Sequence, residues 1–402
     1  MSRTILHVDL DAFFCSVEEQ LSPELKGRAF VVGGSAEGRG VVSSASYPAR
    51  KYGIHSAMPT AQAIRLCRGL IVVPPRHGVY GEHSRQVMGL LRQSAPVMEQ
   101  LSIDEAFLDA TGDPLPGHEL ARKLQSEILE RFGLSTSWGV ASNKLVAKIA
   151  TEVGKPRGII VVPAGDEAAF LAPLPVQMLW GVGPKMRQSL AGLGIQTIGE
   201  LAAMEEKRLI ALFGERGREL ATRSLGQDDR PLAEEREARS MSAETTFSRD
   251  MSEAKELKST LRKLSERVGA RLRRAGLAGR TVRLKLRWPD FRTITRQTRV
   301  DQAVDQDGEI YRTALSLLER VWRRGRSVRL IGVGVSDLGS PARQLHLFDR
   351  SWERDNELAK ALDAIRTKYG PNAVRRASSM HSGSHPGKID QGDWDTDEED
   401  PS

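Results

Sequence analysis

The sequence predicts an α+β fold divided among several domains, and three features carry that expectation. Over the first 165 residues short apolar runs of strand length alternate with stretches of helical period, from 166 to about 232 the pattern turns helical and glycine-rich, and from 242 to 340 strands and helices alternate again. At 402 residues the chain exceeds what one hydrophobic core holds, while 40% apolar and 28% charged residues are ordinary for a folded protein.

In the first part the patterning places strands near 4–10, 29–33, 40–44, 71–73, 97–103, 106–110, 135–140 and 158–162, and helices over 12–20, 59–66, 78–94, 117–132 and 142–153. Residues 98–109 read as two short strands meeting at Asp104 and Glu105, a hairpin beside the end of the first strand, which closes on Asp9. Residues 233–241 are charged and lack an apolar face, so they read as an interdomain tether. Beyond it, 281–288 alternates Arg283, Lys285 and Arg287 with apolar residues and 328–335 is a second strand, implying a sheet with one packed face and one cationic face. Residues 352–369 set Leu358, Leu362 and Ile365 on one helical face and stop at Gly370 and Pro371, with packing against the body as the simplest purpose. From about 378 the composition cannot build a core, and a disordered acidic tail is expected.

Charge narrows the partner. The net charge is +7, but residues 262–299 hold thirteen Lys and Arg against two acidic residues, the footprint of a polyanion and most simply of nucleic acid. Cys15 and Cys67 lack metal or disulfide spacing, no apolar run reaches the roughly 18 residues of a membrane span, and the N-terminus has no signal-peptide core. A cytoplasmic protein with reduced thiols is expected.

Three constellations carry chemistry. Asp9 lies 95 residues before the Asp104-Glu105 pair, and both follow strand-like runs. An adjacent Asp-Glu pair is by itself as compatible with a solvated turn. Rigid strands bringing three carboxylates together would instead suit two divalent cations, which neutralise charge that otherwise repels. The stretch Leu179-Trp-Gly181-Val-Gly183-Pro-Lys185 resembles a helix-hairpin-helix, whose glycine turn lets backbone N–H groups at a helix start face a phosphate. A later Phe213-Gly-Glu-Arg-Gly217 reads as a degenerate partner. Near the front, Ser44, Tyr47 and Arg50 gather hydroxyls and a guanidinium suited to a triphosphate, and Lys155 is another cation at a helix end.

Taken together, Asp9-Leu-Asp-Ala-Phe-Phe14-Cys-Ser-Val-Glu, Tyr47-Pro-Ala-Arg50-Lys, Ser102-Ile-Asp-Glu-Ala106, Ser142-Asn-Lys-Leu-Val-Ala-Lys148 and Lys155-Pro-Arg-Gly resemble the Y-family translesion DNA polymerases, most nearly their bacterial DinB type, in order and spacing from residue 1 to about 348. The resemblance implies a right-hand architecture: a ferredoxin-like palm (1–10 and 76–165), small fingers (11–75), a helix-hairpin-helix thumb (166–232), a linker (233–241), an α/β little finger (242–343), a clamp-binding motif (344–348), a C-terminal helix (349–377) and a tail (378–402). It makes Asp9, Asp104 and Glu105, with the Leu10 carbonyl, ligands of two Mg²⁺ ions, and gives the incoming dNTP to Ser44, Tyr47, Arg50 and Lys155. Phe14 falls at the steric-gate position, whereas read alone Phe13 and Phe14 would be core aromatics on opposite sides. Primer-template DNA would lie against Gly181, Gly183, Lys185, Arg283, Lys285 and Arg287. Low fidelity without proofreading is expected, because no second acidic cluster of the exonuclease kind is present.

Gln344-Leu345-His-Leu347-Phe348 resembles the bacterial sliding-clamp-binding motif, with leucine and phenylalanine anchors for an apolar pocket; in an unknown protein one more strand would be the simpler reading. The implied partners are DNA, dNTP and the clamp (the beta subunit of the replicative polymerase), for a monomer. Two rivals remain: a nucleotidyl cyclase, against which the basic third domain argues, and a catalytically silent relative, against which the intact acidic trio argues. Leu10 and Ala12 sit where relatives vary, and Pro48 bears on the start of its helix.

Overall fold

The structure, a computed structural model, describes residues 3–233, 238–341, 351–370 and 373–374. The described residues divide into two compact units, one built on 3–35 and 41–233 and the other on 36–40 with those from 238 onward.

In the first unit β1 (Ile5–Leu10) leads through α1 (Phe13–Leu21) into a small sheet of β2 (Phe30–Gly33), β3 (Val42–Ala45) and β4 (Ile71–Val73), with short helices α2 (Tyr47–Arg50) and α3 (Thr60–Leu66) between the last two strands. The Ser46 side chain accepts from Ala49 N–H and so caps α2, whose Pro48 stands in the first turn where no N–H is needed; the proline fits the helix start rather than disturbing it. Helix α4 (His77–Ser94) returns to β5 (Val97–Gln100), β6 (Glu105–Asp109), α5 (Gly117–Phe132), β7 (Thr136–Ala141), α6 (Lys144–Gly154) and β8 (Ile159–Val161). The strand expected over 97–103 ends at Gln100, because the backbone turns there to bring Glu105 back onto the neighbouring strand.

The large sheet runs β5-β6-β1-β7-β8. With the insertion between β1 and α4 set aside, its first four strands form a βαββαβ string with the first strand between the third and the fourth, which is the ferredoxin-like arrangement. Alternation along β1 divides the two faces: Leu6, Val8 and Leu10 pack with Leu120, Leu124 and Ile128 of α5, whereas Ile5 joins a second core with Leu145, Val146 and Ile149 of α6. His7 and Asp9 therefore share the face covered by α6. Gly139 on β7 is what lets α6 lie so close, since a Cβ there would come within 2.0 Å of the Ala147 carbonyl oxygen.

Helices α7 (Glu167–Leu171), α8 (Pro184–Ala191), α9 (Ile198–Ala202), α10 (Glu206–Phe213) and α11 (Glu215–Ser224) follow. Their Leu171, Leu190, Ile198 and Leu209 continue the same apolar cluster as α6, so this helical segment and the α6 face of the large sheet share one core. A buried ion pair, Lys144 Nζ to Glu99 Oε2 at 2.5 Å, lies beside it, and Asp228 accepts from Leu145 N–H at the start of α6.

The second unit is β9 (Ser240–Met251), α12 (Ala254–Arg274), β10 (Ala278–Arg287), β11 (Thr293–Val304), α13 (Asp307–Val321) and β12 (Val328–Gly339), with antiparallel sheet order β11-β10-β12-β9. The stretch read as a tether over 233–241 is shorter than expected, because Ser240 and Met241 already pair with Ser336 and Val335 of β12. Val282, Leu284 and Leu286 pack under α12 and α13, leaving Arg283, Lys285 and Arg287 on the opposite face. Helix α14 (Ser351–Tyr369) attaches to α12 through charge, Arg273 to Asp363 at 2.8 Å and Arg366 to Glu266 at 3.2 Å. Leu358, expected on a packing face, stays 53% exposed because those ion pairs set the rotation of the helix. The clamp-like segment 344–348 and the acidic tail lie outside the described residues. Among the described residues no helix is long and apolar enough to cross a membrane.

Candidate active site

Register brings the acidic residues together. Asp9 stands directly opposite Glu105 in the β1–β6 ladder, and Leu10 N–H donates to the Asp104 carbonyl at 2.9 Å, so acidic residues 95 positions apart in sequence are brought to one strand end. The turn carrying them is fixed by Ser102, whose hydroxyl donates to the Asp104 carboxylate and accepts from Glu105 N–H, and by Ser84, which donates to the Ile103 carbonyl.

Like charges opposed across a ladder repel, and cations answer that repulsion here. Lys155 Nζ lies 2.9 Å from Asp9 Oδ2; Glu105 accepts from Lys148 and lies 3.1 Å from His7 Nε2. Burial pushes the Asp9 carboxyl up, Lys155 draws it back and Asp104 and Glu105 add to the rise, leaving it at about 7. Burial likewise raises Asp104, against the Ser102 hydrogen bond. Burial would raise Glu105 too, but the His7 hydrogen bond and the Lys148 ammonium outweigh it and hold it at about 2. His7, buried, is lowered to about 4 and stays neutral at pH 7, so a ring donating from Nε2 to Glu105 can accept the Thr151 hydroxyl at Nδ1, 2.9 Å away. Among the described residues no three acidic or imidazole side chains already converge as a metal cage, since each carboxylate is turned to a protein partner. The donor set nevertheless suits a hard cation: two half-buried carboxylates raised by desolvation and by neighbouring negative charge, all donors oxygen, in a cleft.

The cleft, about 260 Å³, is lined by Asp9, Leu10, Phe13, Phe14, Ser44, Tyr47, Arg50, Asp104 and Lys155. Every nucleotide-handling residue expected from the sequence thus faces the same space as two of the three carboxylates; Glu105 lies just behind, against α6. Phe13 is the core ring of the pair at 2% exposure, and Phe14 faces the cleft, stacked on Tyr80 with ring centroids 4.3 Å apart. The Arg50 guanidinium lies 5.2 Å from the Tyr47 ring centre, and its Nε donates to the Ala45 carbonyl.

Similarity to known proteins is extensive. Residues 8–152 match the impB/mucB/samB family, residues 164–195 the helix-hairpin-helix motif of that family and residues 238–347 its C-terminal domain. A DNA polymerase IV from Dehalococcoides mccartyi (strain CBDB1) is 44% identical over 377 residues, 93% of this chain and 96% of its own length. The chain belongs to the impB/mucB/samB family of Y-family DNA polymerases. A DNA polymerase IV from Streptomyces coelicolor is 42% identical over 89% of this chain and 75% of its own length. Among solved structures, a Y-family polymerase chimera of Dbh and Dpo4 has a TM-score of 0.75 at 28% identity, covering 84% of this chain and 99% of its own. An insertion ternary complex of Dbh DNA polymerase has a TM-score of 0.61 at 28% identity, over 84% and 99% respectively. The chain is therefore a DNA-directed DNA polymerase of the translesion type, in a metal-dependent family, and the cyclase and the silent-relative readings are set aside.

Two further regions of the polymerase carry expected DNA contacts. Gly181 has φ 99°, a conformation open to glycine at little cost, and Gly183 caps α8 with Pro184 at its first position, so the hairpin has the predicted helix start. In the second unit Arg283, Lys285 and Arg287 line up two residues apart on the open sheet face, Lys285 2.9 Å from Glu244. Three residues of the polymerase site were missed from the sequence: His7, Lys148 and Asp11. His7 follows the two-residue period of Asp9, and that period was the available signal. Lys148 stood in a matched motif without a role, because only the close approach of α6 points it at Glu105.

Proposed function

We propose that the chain extends a DNA primer by attack of the primer 3′-hydroxyl on an incoming dNTP, at low fidelity and without proofreading, as a monomer in the cytoplasm. The cross-strand register of Asp9 with Glu105, beside a cleft that Asp9 lines together with Tyr47, Arg50 and Lys155, carries this reading. Asp9, Asp104, Glu105 and the Leu10 carbonyl would hold two Mg²⁺ ions, which lower the pKa of the attacking hydroxyl and neutralise the leaving pyrophosphate. Lys155 and Arg50 hold the triphosphate, with Ser44 and Tyr47 as neutral donors. Phe14, at the cleft wall and stacked on Tyr80, serves as the steric gate that excludes a ribonucleotide's 2′-hydroxyl. Gly181, Gly183 and Lys185 bind template-primer phosphates at a helix start, and Arg283, Lys285 and Arg287 do so from an open sheet. Gln344, Leu345, Leu347 and Phe348 dock the sliding clamp.

Primer extension with Mg²⁺ on undamaged and abasic templates, each dNTP against its ribonucleotide, tests the whole. Extension past the abasic site with deoxynucleotides only is expected; absence of any dNTP incorporation rules the reading out. Deleting residues 344–348 should remove stimulation by the clamp and leave unassisted synthesis intact, and equal loss of both would make the segment structural.

A further inference from the structure

Asp11 is a buried carboxylate, 2% exposed, that the chemistry above does not use. It accepts four hydrogen bonds: from Tyr47 Oη at 3.1 Å and Ser137 Oγ at 2.8 Å on Oδ1, and from Ser135 Oγ at 2.6 Å and Arg157 N–H at 3.0 Å on Oδ2. Four is about the full acceptor capacity of a carboxylate. Its own backbone is held as well, N–H donating to the Ser135 carbonyl and C=O accepting from the Ser16 hydroxyl at 2.6 Å. The next residue, Ala12, takes φ 45°, a left-handed conformation uncommon for alanine that persists only where the surroundings enforce it.

The partners give this hub its meaning. Tyr47 comes from the fingers, Ser135 and Ser137 from the β7 side of the palm, and Arg157 from the loop two residues past Lys155. We infer that Asp11 is a positioning residue for nucleotide binding, one carboxylate that sets both Tyr47 and the Lys155 loop against the triphosphate. The inference rests on the reading that Tyr47 and Lys155 contact that triphosphate. A phenol has one proton to donate. Before substrate arrives Asp11 takes it and holds the ring in place; when a phosphate oxygen takes it instead, Asp11 keeps its other three donors and the Lys155 loop does not move.

Steady-state dNTP incorporation by the full chain tests this. Asp11→Ala should raise KM for dNTP about tenfold, the scale of one lost hydrogen bond to a charged group, with kcat changed less and primer-template Kd unchanged. Asp11→Asn should recover most of the loss: its amide oxygen can keep Ser135 and Arg157, whose N–H cannot reverse, while its NH₂ donates to the Tyr47 and Ser137 hydroxyls, which can. Tyr47→Phe should raise KM on its own, and adding Asp11→Ala to it should raise KM by less than the product of the two single effects.

An ordinary KM in Tyr47→Phe overturns the nucleotide role of Tyr47 and this proposal with it. A raised KM in Tyr47→Phe with an ordinary KM in Asp11→Ala overturns the role of Asp11 alone, as does a loss of kcat and melting temperature without a change in KM. Should Asp11→Ala fail to fold, Ser137→Ala, which removes one donor and leaves the carboxylate, must still raise KM; an unchanged value overturns the proposal.

Discussion

The palm sheet and the little-finger sheet are both built from βαββαβ strings, yet they use charge in opposite ways. In the palm the first strand lies inside the sheet, between β6 and β7, whereas in the little finger the first strand, β9, lies at the edge. In the palm α5 packs on one face and α6 on the other, so Asp9 and Glu105 are placed under cover, where burial and mutual repulsion shift their ionisation and Lys155, Lys148 and His7 answer it. In the little finger both helices pack on one face and the other stays open, so Arg283, Lys285 and Arg287 remain beside Thr293, Thr295 and Gln297 of the paired strand. What covers a sheet decides whether charge on it is desolvated and held by partners or left in water.

The largest expected effect breaks the covered face. Asp104→Ala should lower primer extension by about 10³-fold or more, as for loss of a group that stabilises transition-state charge, while duplex affinity stays within about twofold. Extension near the wild-type rate would remove Asp104 from the metal set. Burial separates the two regions in stability as well. Lys144→Ala strips the buried Glu99 carboxylate of its ammonium and should cost about 3–5 kcal/mol in denaturant melts. Lys285→Ala removes a partner from the exposed Glu244 pair and should cost under about 1 kcal/mol. Equal losses would mean that burial does not separate the two sheets.

The same contrast explains what could be read in advance. Asp9, Asp104 and Glu105 were legible because a two-residue period and a hairpin suffice to bring strand ends together. The cationic face was legible because Arg283, Lys285 and Arg287 alternate with Val282, Leu284 and Leu286. Asp11 was not, although it lies inside the matched motif, because its partners Tyr47, Ser137 and Arg157 come from three distant segments. Leu358 misled for a related reason: helical period marks an apolar face, but ion pairs from Asp363 and Arg366 set how the helix lies. The reach of β9 to Ser240 was hidden because Ser240 and Met241 directly follow a charged run and are too few to show an apolar pattern, so pairing with β12 defines the strand there.

A smaller effect lies at the cleft itself. Phe14→Ala should lower discrimination against ribonucleotides by about 10- to 200-fold, the range of a steric contact in an apolar pocket. Because Phe14 is stacked on Tyr80 rather than buried in the main core, melting temperature should fall less than in Phe13→Ala. Unchanged sugar selectivity would remove Phe14 as the gate.

The smallest effects belong to the open face, and salt dependence reads them best. Removing one cation that pairs with a DNA phosphate should flatten the slope of log K against log salt by about 0.9, so Arg283→Ala should shift it by that amount and leave kcat at saturating DNA unchanged. Lys285→Ala should shift it less, because Glu244 at 2.9 Å already cancels part of that charge in the free protein. Glu244→Gln then becomes informative: freeing Lys285 should steepen the slope and tighten binding at low salt. A slope indifferent to all three substitutions would mean that this face, cationic as it is, does not meet DNA.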